Sequence, residues 1–110
     1  MIPFEIYYWK PPDWNEEHPC VIVSDPSRAD RKDPVEVVMC STQRATRKPY
    51  PNEILLDTED GLDWPTICKC DLIYAVQRNQ LIRKKGVVTH ERQSHLVRTL
   101  IGAHGWPSVL

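Results

Sequence analysis

The feature that most constrains the fold is a series of five short segments rich in β-branched and aromatic residues, each bounded by turn residues. They cover residues 4–9, 20–24, 35–41, 53–57 and 66–76. Ten prolines and only four glycines favour extended segments with stiff turns over a helical bundle. Strands at this spacing in a chain of 110 residues predict a closed or nearly closed small β-barrel.

The end of the chain changes to a helical pattern. Apolar or aromatic side chains recur on one helix face, at residues 96, 97, 100, 101 and 104. Thr89 is a suitable N-cap, Glu91 favours the positive helix start, and Gly105 followed by Pro107 predicts the end. The preceding residues 76–88 are expected to hold a helical turn and a short final strand. The sequence therefore predicts a mainly β (α+β) fold, a single-domain antiparallel barrel with one packed C-terminal helix.

Overall charge and the N-terminal residues bear on the cellular location of the protein more than on its function. The chain has 14 basic and 15 acidic side chains, so net charge indicates neither nucleic acid nor its absence as a partner. The start, MIPFEIYYWK, lacks a basic leader with a long apolar run, and no stretch approaches the roughly 20 apolar residues of a membrane span. We expect a cytoplasmic protein in which the cysteines stay reduced.

The last strand segment, TICKCDLIYAV, alternates thiols with charged side chains. In an extended strand, Cys68, Cys70 and Leu72 share one face, while Lys69 and Asp71 share the other. A reduced cysteine behaves as a small apolar residue, so the cysteine face is predicted to be the core. Zinc sites usually space paired cysteines by two to four residues, and the other two cysteines lack a histidine at diagnostic spacing. We therefore expect no metal site.

Basic and aromatic side chains occur together in two predicted loops. The loop after the third strand segment holds Arg44, Arg47, Lys48 and Tyr50, and the first loop holds Trp14. In grooves that bind single-stranded nucleic acid, cations bind the phosphates and rings stack on the bases. The composition indicates such a surface, with an ordinary exposed loop as the alternative. The charged pair in TICKCDLIYAV is either part of this surface or an ion pair of little energetic weight.

Motifs in order along most of the chain resemble the MazF/PemK/Kid toxin family: Glu5-Ile6-Tyr7, HPCVIVSD (18–25), VEVVMCST (35–42) and PNEILLDTEDGLDWPTICKCDLI (51–73). The resemblance implies an SH3-like barrel that forms a homodimer. It also implies a metal-independent endoribonuclease that cleaves single-stranded RNA, needs no cofactor and is neutralised by a cognate antitoxin. The implied reaction is attack of a ribose 2′-OH on the adjacent phosphate, assisted by a base and an acid.

The resemblance also assigns roles to residues. His18 stands where the family carries an arginine before the proline that opens the second strand. Histidine can transfer a proton near neutral pH, but it cannot place two parallel donors on a phosphate as arginine does. The family's strand-end hydroxyl aligns with Ser41, and its basic residue and aspartate align with Lys69 and Asp71. We therefore expect catalysis by His18, Ser41 and Asp71, and substrate binding by Trp14, Thr42, Arg44, Arg47, Lys48, Tyr50 and Lys69.

Departures from the family pattern leave other functions open. The first loop is short, acidic at its end and without glycine, and Tyr74 stands where members usually carry an arginine. A catalytically weak relative that binds nucleic acid or an antitoxin peptide is therefore the alternative. A gyrase poison of the CcdB kind is disfavoured, because that kind acts through a C-terminal tryptophan-glycine pair. Here Gly105-Trp106 has the reverse order, and four more residues follow.

Overall fold

The structure is a computed structural model that describes residues 1–106. Its strands are β1 (Glu5–Trp9), β2 (His18–Ile22), β3 (Val35–Cys40), β4 (Glu53–Leu56), β5 (Thr66–Val76) and β6 (Leu81–Val87). Its helices are α1 (Pro26–Arg31) and α2 (His90–Ala103), and single 3-10 turns lie at Thr58–Asp60 and Arg78–Gln80. Within residues 1–106, neither helix has the length and apolar character that crossing a bilayer requires.

The six strands form one antiparallel sheet in the order β4-β5-β3-β2-β1-β6. The prediction of a mainly β fold with a packed C-terminal helix is confirmed, but the expected closure is not: within residues 1–106, no ladder joins β4 to β6. Backbone packing replaces it, because a Cβ on Gly86 of β6 would lie 2.0 Å from the carbonyl oxygen of Asp60. Only glycine permits such close contact between the edge strand and the turn after β4.

One element was missed by the sequence analysis, which assigned DPSRADRKDP to a loop. The short helix α1 begins there because the Asp25 carboxylate accepts hydrogen bonds from the amides of Ser27 and Arg28, and Pro26 occupies its first turn. At its other end, the Arg78 guanidinium donates to backbone carbonyls, among them that of Ala29 at 2.6 Å. Six residues are too few to show a helical period, so only these caps define the helix.

The sheet is buried on both faces. Along β3, Val38 and Cys40 belong to the cluster that packs beneath α2, and Val37 and Met39 belong to a second cluster on the opposite face. Cys68 and Cys70 are fully buried in the first cluster. The prediction that the cysteines form the core is therefore confirmed. Within residues 1–106, no group of three metal-ligating side chains lies together.

A bulge in β5 interrupts the predicted alternation. Met39 of β3 pairs with Lys69, but Val37, two residues earlier, pairs with Tyr74, so β5 carries three extra residues between these partners. Such an insertion turns the following side chains to the opposite face. Leu72 is therefore 54 % exposed, whereas Ile73 packs against the core. The expectation that Leu72 shares the buried cysteine face is wrong for this reason.

The helix α2 is fixed at its N-terminus by a buried carboxylate. Asp60 has a fully buried side chain, accepts a hydrogen bond from the backbone amide of Thr89 at 2.9 Å, and contacts the Arg92 guanidinium at 2.5 Å. Arg92 also forms two hydrogen bonds to Asp57, at 2.7 and 2.9 Å. Thr89 is the N-cap residue, as predicted, but its side chain makes no capping bond. The carboxylate of Asp60 instead binds the backbone amide of the N-cap residue itself.

The buried face of α2 and its end follow the prediction in part. Leu96 and Leu100 are buried, but Val97 is exposed, and Thr99 is buried with its hydroxyl bonded to a backbone carbonyl of its own helix. Gly105 has a positive φ of 67°, a conformation that favours glycine and ends the helix. The predicted stop at residue 107 lies outside the described residues.

We expect Arg92→Met to lower the free energy of unfolding by about 3 kcal/mol, because it leaves the Asp60 carboxylate buried without its cation. Urea denaturation monitored by circular dichroism measures the change. Arg98→Met, on the exposed side of α2, is the matched control and should change stability by less than about 0.5 kcal/mol. An equal effect of the two substitutions would contradict the anchoring role of Arg92.

The ion pair between Arg92 and Asp57 predicts a pH dependence. Hydrogen bonds from Arg92 hold the pKa of Asp57 below its ordinary value. The contribution of ionised Asp57 to the free energy of unfolding is fully present above the pKa of an unfolded aspartate. It is lost as the pH falls through the lower pKa of the folded state. The stability difference between wild type and Arg92→Met should therefore shrink in acid.

Candidate functional site

A groove of about 470 Å³ lies where β2 begins, β3 ends and the middle of β5 passes. We call it the main groove. Seven of the ten predicted site residues line it: Trp14, His18, Ser41, Thr42, Arg44, Arg47 and Lys69. The three others, Lys48, Tyr50 and Asp71, do not. Residues 14 to 69 thus meet because antiparallel pairing brings the start of β2 and the middle of β5 beside the end of β3.

His18 is held in one orientation by two contacts. Its Nδ1 lies 3.3 Å from the carbonyl oxygen of Cys40, and the Trp14 ring meets it edge to face with ring centroids 4.9 Å apart. Because a carbonyl oxygen can only accept, Nδ1 carries the proton of the neutral ring and donates it. Nε2 then has a free lone pair. The half-buried His18 can accept a proton from a ligand in the main groove.

The hydroxyls of Ser41 and Thr42, at the end of β3, differ in whether their proton is free to form a hydrogen bond with a ligand. Ser41 Oγ accepts a hydrogen bond from the amide of Gln43 at 3.2 Å, which leaves its own proton available. Thr42 Oγ1 already donates to the Glu16 carboxylate at 2.8 Å. Both side chains line the main groove, but Ser41 is the better hydrogen-bond donor to an anion.

The cations of the main groove are not equivalent. Among residues 1–106, neither Arg44 nor Lys69 forms an ion pair, and both side chains are exposed. Arg47 instead forms a two-point ion pair with the buried Glu53, at 2.7 and 3.0 Å, and holds the pKa of that carboxyl below its usual range. Arg44 and Lys69 can therefore neutralise a bound anion without breaking an existing pair.

Arg47 and Tyr50 brace the loop between β3 and β4. The Arg47 guanidinium lies 4.1 Å from the centroid of the Tyr50 ring, and the Tyr50 amide donates to Glu53 at 2.9 Å. Arg47 also donates to the backbone carbonyl of Lys48 at 3.1 Å. These contacts give Arg47 a structural role beside the ligand-binding role that the sequence predicts, while the Lys48 and Tyr50 side chains remain exposed outside the main groove.

The β5 bulge separates the predicted pair Lys69 and Asp71. Lys69 lines the main groove, but Leu72 and Tyr74 take the following places on its wall, and Asp71 lies exposed at the bulge. Among residues 1–106, Asp71 forms no hydrogen bond or ion pair. Simple alternation places Lys69 and Asp71 on one face, and no residue type in the segment signals the bulge. Tyr74, whose ring edge packs against Trp9, was therefore missed as a wall residue.

Both carboxylates at the acidic end of the first loop have a hydrogen-bonding partner, and that of Glu17 is a cation. Glu16 accepts the hydroxyl of Thr42, and Glu17 forms an ion pair with Arg83 of β6 at 2.6 Å. Neither glutamate lines the main groove. Both carboxylates thus already have a partner and stand outside the lining of the main groove.

A second cavity of about 130 Å³ adjoins the main groove, and Ser41 and Thr42 line both. Its far side carries Tyr8 of β1 and Lys85 of β6. Sequence reasoning missed these two residues, because they lie on strands remote from the recognised motifs. The hydroxyl of Ser41 thus stands between a cavity with a histidine, His18, and a cavity with a lysine, Lys85. These three groups can bind an anion and exchange protons with it.

The family comparison assigns nearly the whole chain to one family. Residues 3–103 match the family model described as the PemK-like, MazF-like toxin of type II toxin-antitoxin systems. No curated protein sequence matches the chain.

Solved structures share the fold at low sequence identity. One described as an endoribonuclease in complex with its cognate antitoxin from mycobacterial species has a TM-score of 0.81 and 22% identity, with 96% of this chain and 95% of that chain covered. The Mycobacterium tuberculosis toxin MazF-mt6 has a TM-score of 0.77 and 18% identity, with 92% and 96% covered. At these identities, the likenesses establish the fold alone.

We expect the neutral His18 ring to carry its proton on Nδ1. His104 is an internal control, because its Nε2 lies 2.8 Å from the carbonyl oxygen of Cys70 and so should carry the proton in that ring. Long-range ¹H–¹⁵N correlation spectra at a pH where both rings are neutral distinguish the two tautomers. A His18 ring protonated on Nε2 would remove the proton-accepting atom from the main groove.

Proposed function

Because the chain belongs to the PemK-like, MazF-like toxin family of type II toxin-antitoxin systems, we propose that it is an endoribonuclease that cleaves single-stranded RNA in the main groove. The observation that carries this proposal is the grouping of a proton-accepting histidine, a free hydroxyl donor and two unpaired cations. These are His18, Ser41, Arg44 and Lys69. They supply the base for the nucleophile and the donors and cations that bind the phosphate.

The proposed reaction is a transesterification that needs no metal or cofactor. Nε2 of His18 takes the proton of a ribose 2′-OH, whose oxygen then attacks the adjacent phosphorus. The bond between phosphorus and the 5′-oxygen of the next nucleotide breaks. The products are a 2′,3′-cyclic phosphate and a 5′-hydroxyl end. The hydrogen bond from Nδ1 to the Cys40 carbonyl stabilises the imidazolium that forms, because the carbonyl still accepts from it.

The family arginine that precedes the second strand is replaced in this protein, so other groups must stabilise the charge on phosphate. The Ser41 hydroxyl donates to a nonbridging oxygen, and Lys69 and Arg44 approach from β5 and from the loop after β3. Fixed donors and cations of this kind stabilise the transition state more than the substrate, because negative charge on the phosphate oxygens increases during attack. In this proposal, three separate side chains stabilise the phosphate charge that a single arginine guanidinium stabilises in other family members.

The wall of the main groove suits an unpaired strand. Trp14 is 44 % exposed, and its ring stands beside His18. Bases of a single strand can stack on such a ring, while the bases of a duplex are already stacked on each other. Because the 2′-OH is the nucleophile, DNA of the same sequence would bind without being cleaved.

The proposal includes two protein partners, a second copy of the chain and a cognate antitoxin. It places the protein in the cytoplasm, where RNA is available. The similar mycobacterial endoribonuclease, whose structure is a complex with its cognate antitoxin, supports the antitoxin as a partner. We expect light scattering after size exclusion to give the mass of a dimer. A co-expressed antitoxin should co-purify and inhibit cleavage; monomeric protein or unaffected cleavage would contradict the respective assignment.

We expect the purified protein to cut a long single-stranded RNA in EDTA into discrete fragments with 2′,3′-cyclic phosphate ends, and to leave the matched DNA intact. Gel analysis with and without phosphatase treatment identifies the ends. Intact RNA with folded, antitoxin-free protein would refute the endoribonuclease and favour a protein that only binds nucleic acid or peptide.

Single-site variants test the residues in the same assay. His18→Ala should slow cleavage by about 10²- to 10⁴-fold, as expected for loss of a general base. Ser41→Ala should cost about 10²-fold, and the matched Thr42→Val much less, because only Ser41 has a free proton to donate. Asp71→Asn should cost less than His18→Ala, because Asp71 does not line the main groove. Full activity of His18→Ala would refute the assigned base.

A further inference from the structure

The reaction needs a proton donor that the main groove does not supply. The attacking and leaving oxygens of an in-line displacement stand on opposite sides of phosphorus. His18 lies on the same side of phosphorus as the attacking 2′-oxygen, so the leaving 5′-oxygen points away from His18. Arg44 is a poor acid because a guanidinium does not give up a proton in proteins. Lys69 lines the main groove together with His18, and neither residue lines the second cavity.

The second cavity lies beyond that strand end. It shares Ser41 and Thr42 with the main groove, and His18 is not among its lining residues. Among residues 1–106, Lys85 is the cation that lines it, together with two carboxylates, Glu17 and Asp63, which are paired with Arg83 and with Lys85 itself. A phosphate bonded to Ser41 would therefore have His18 on one side and the Lys85 ammonium on the other, which is the arrangement that in-line displacement requires.

We propose that Lys85 donates the proton to the 5′-oxygen leaving group, an inference that rests on the proposed endoribonuclease function. As the bond between phosphorus and the 5′-oxygen breaks, one Nζ–H proton moves to that oxygen and leaves Lys85 as a neutral amine. The proton taken up by His18 returns to water, and Lys85 is reprotonated from water. An alkoxide is a stronger base than a lysine amine, so the transfer is favourable.

Neighbouring side chains hold the Lys85 ammonium in place. Nζ lies 2.7 Å from Asp63 Oδ1 and 5.8 Å from the centroid of the Tyr8 ring, and the side chain is only 22 % exposed. The hydrogen bond with Asp63 raises the pKa of Lys85, which keeps the ammonium protonated but makes it a weaker acid while the pair is formed. The Asp63 carboxylate is itself largely exposed and can move with the lysine.

A second strand irregularity directs this side chain. Ile6 pairs with Gly86, Tyr7 with Lys84 and Tyr8 with Ile82. Lys85 and Arg83 are therefore each an extra residue in β6, and Arg83 has a φ of 46°. A residue without a glycine's freedom in this conformation is strained, and such strain concentrates at functional sites. The bulge places the Arg83 guanidinium 4.7 Å from the centroid of the same Tyr8 ring. The Lys85 ammonium is thus held near Tyr8 on a fixed backbone.

A substrate with a sulfur in place of the bridging 5′-oxygen tests the assignment. A thiolate leaves without protonation, so this linkage needs no acid. At the linkage that the wild type cleaves, Lys85→Met should cut ordinary RNA about 10²- to 10⁴-fold more slowly in single-turnover measurements. It should cut the sulfur-bridged linkage at nearly the wild-type rate. A residue that only binds RNA or supports the fold would lose activity equally on both linkages.

The controls separate this inference from the proposed function. Lys32→Met, at the end of α1, should match wild type on both linkages, and His18→Ala should be slow on both. Lys85→Arg keeps the charge but provides a poor acid, so it should also be rescued by sulfur, and it serves if Lys85→Met does not fold. Equal losses on both linkages, or no loss on ordinary RNA, would overturn the role of Lys85. A wild type that cleaves neither linkage would refute the endoribonuclease itself.

Discussion

The buried Asp60 carboxylate organises the part of the molecule that the sheet leaves open. It binds Arg92 and the amide of Thr89, and its own carbonyl oxygen packs against Gly86. One residue thereby joins the turn after β4, the start of α2 and edge strand β6, which no ladder of hydrogen bonds connects. Burying a carboxylate is costly unless it is paired and hydrogen-bonded, so its contacts with Arg92 and Thr89 must form together. Strand β6 is held by its ladder with β1, and the contact of Gly86 with Asp60 fixes its other side against the turn after β4.

Strand irregularities decide which side chains reach the site. In β5, the bulge removes Asp71 from the main groove and brings Leu72 and Tyr74 to its wall. In β6, the bulge at Arg83 precedes Lys85 of the second cavity. A single insertion reverses the face of every later side chain, so a bulge changes the chemistry of a surface without changing its residues.

Local pairing of charges, and not net charge, gives the main groove its preference for an anion. The chain carries nearly equal numbers of acidic and basic side chains. Glu17 and Glu53 are each paired with an arginine, whereas Arg44 and Lys69 retain free positive charge beside His18. Screening weakens distant charges, so the unpaired cations within a few ångströms of a bound phosphate dominate the field there. A nearly neutral protein can therefore present a cationic groove.

The sequence by itself determined five strand segments, the C-terminal helix, the cysteine core and the family, because period, composition and ordered motifs are local properties. It also named seven residues of the main groove. Tertiary structure alone decided that the sheet stays open, that Asp71 leaves the groove, that Ser41 keeps a free proton where Thr42 does not, and that Lys85 faces the same strand end. Each of these depends on which backbone and side-chain groups meet across distant segments, and pairing between distant segments leaves no period in the sequence.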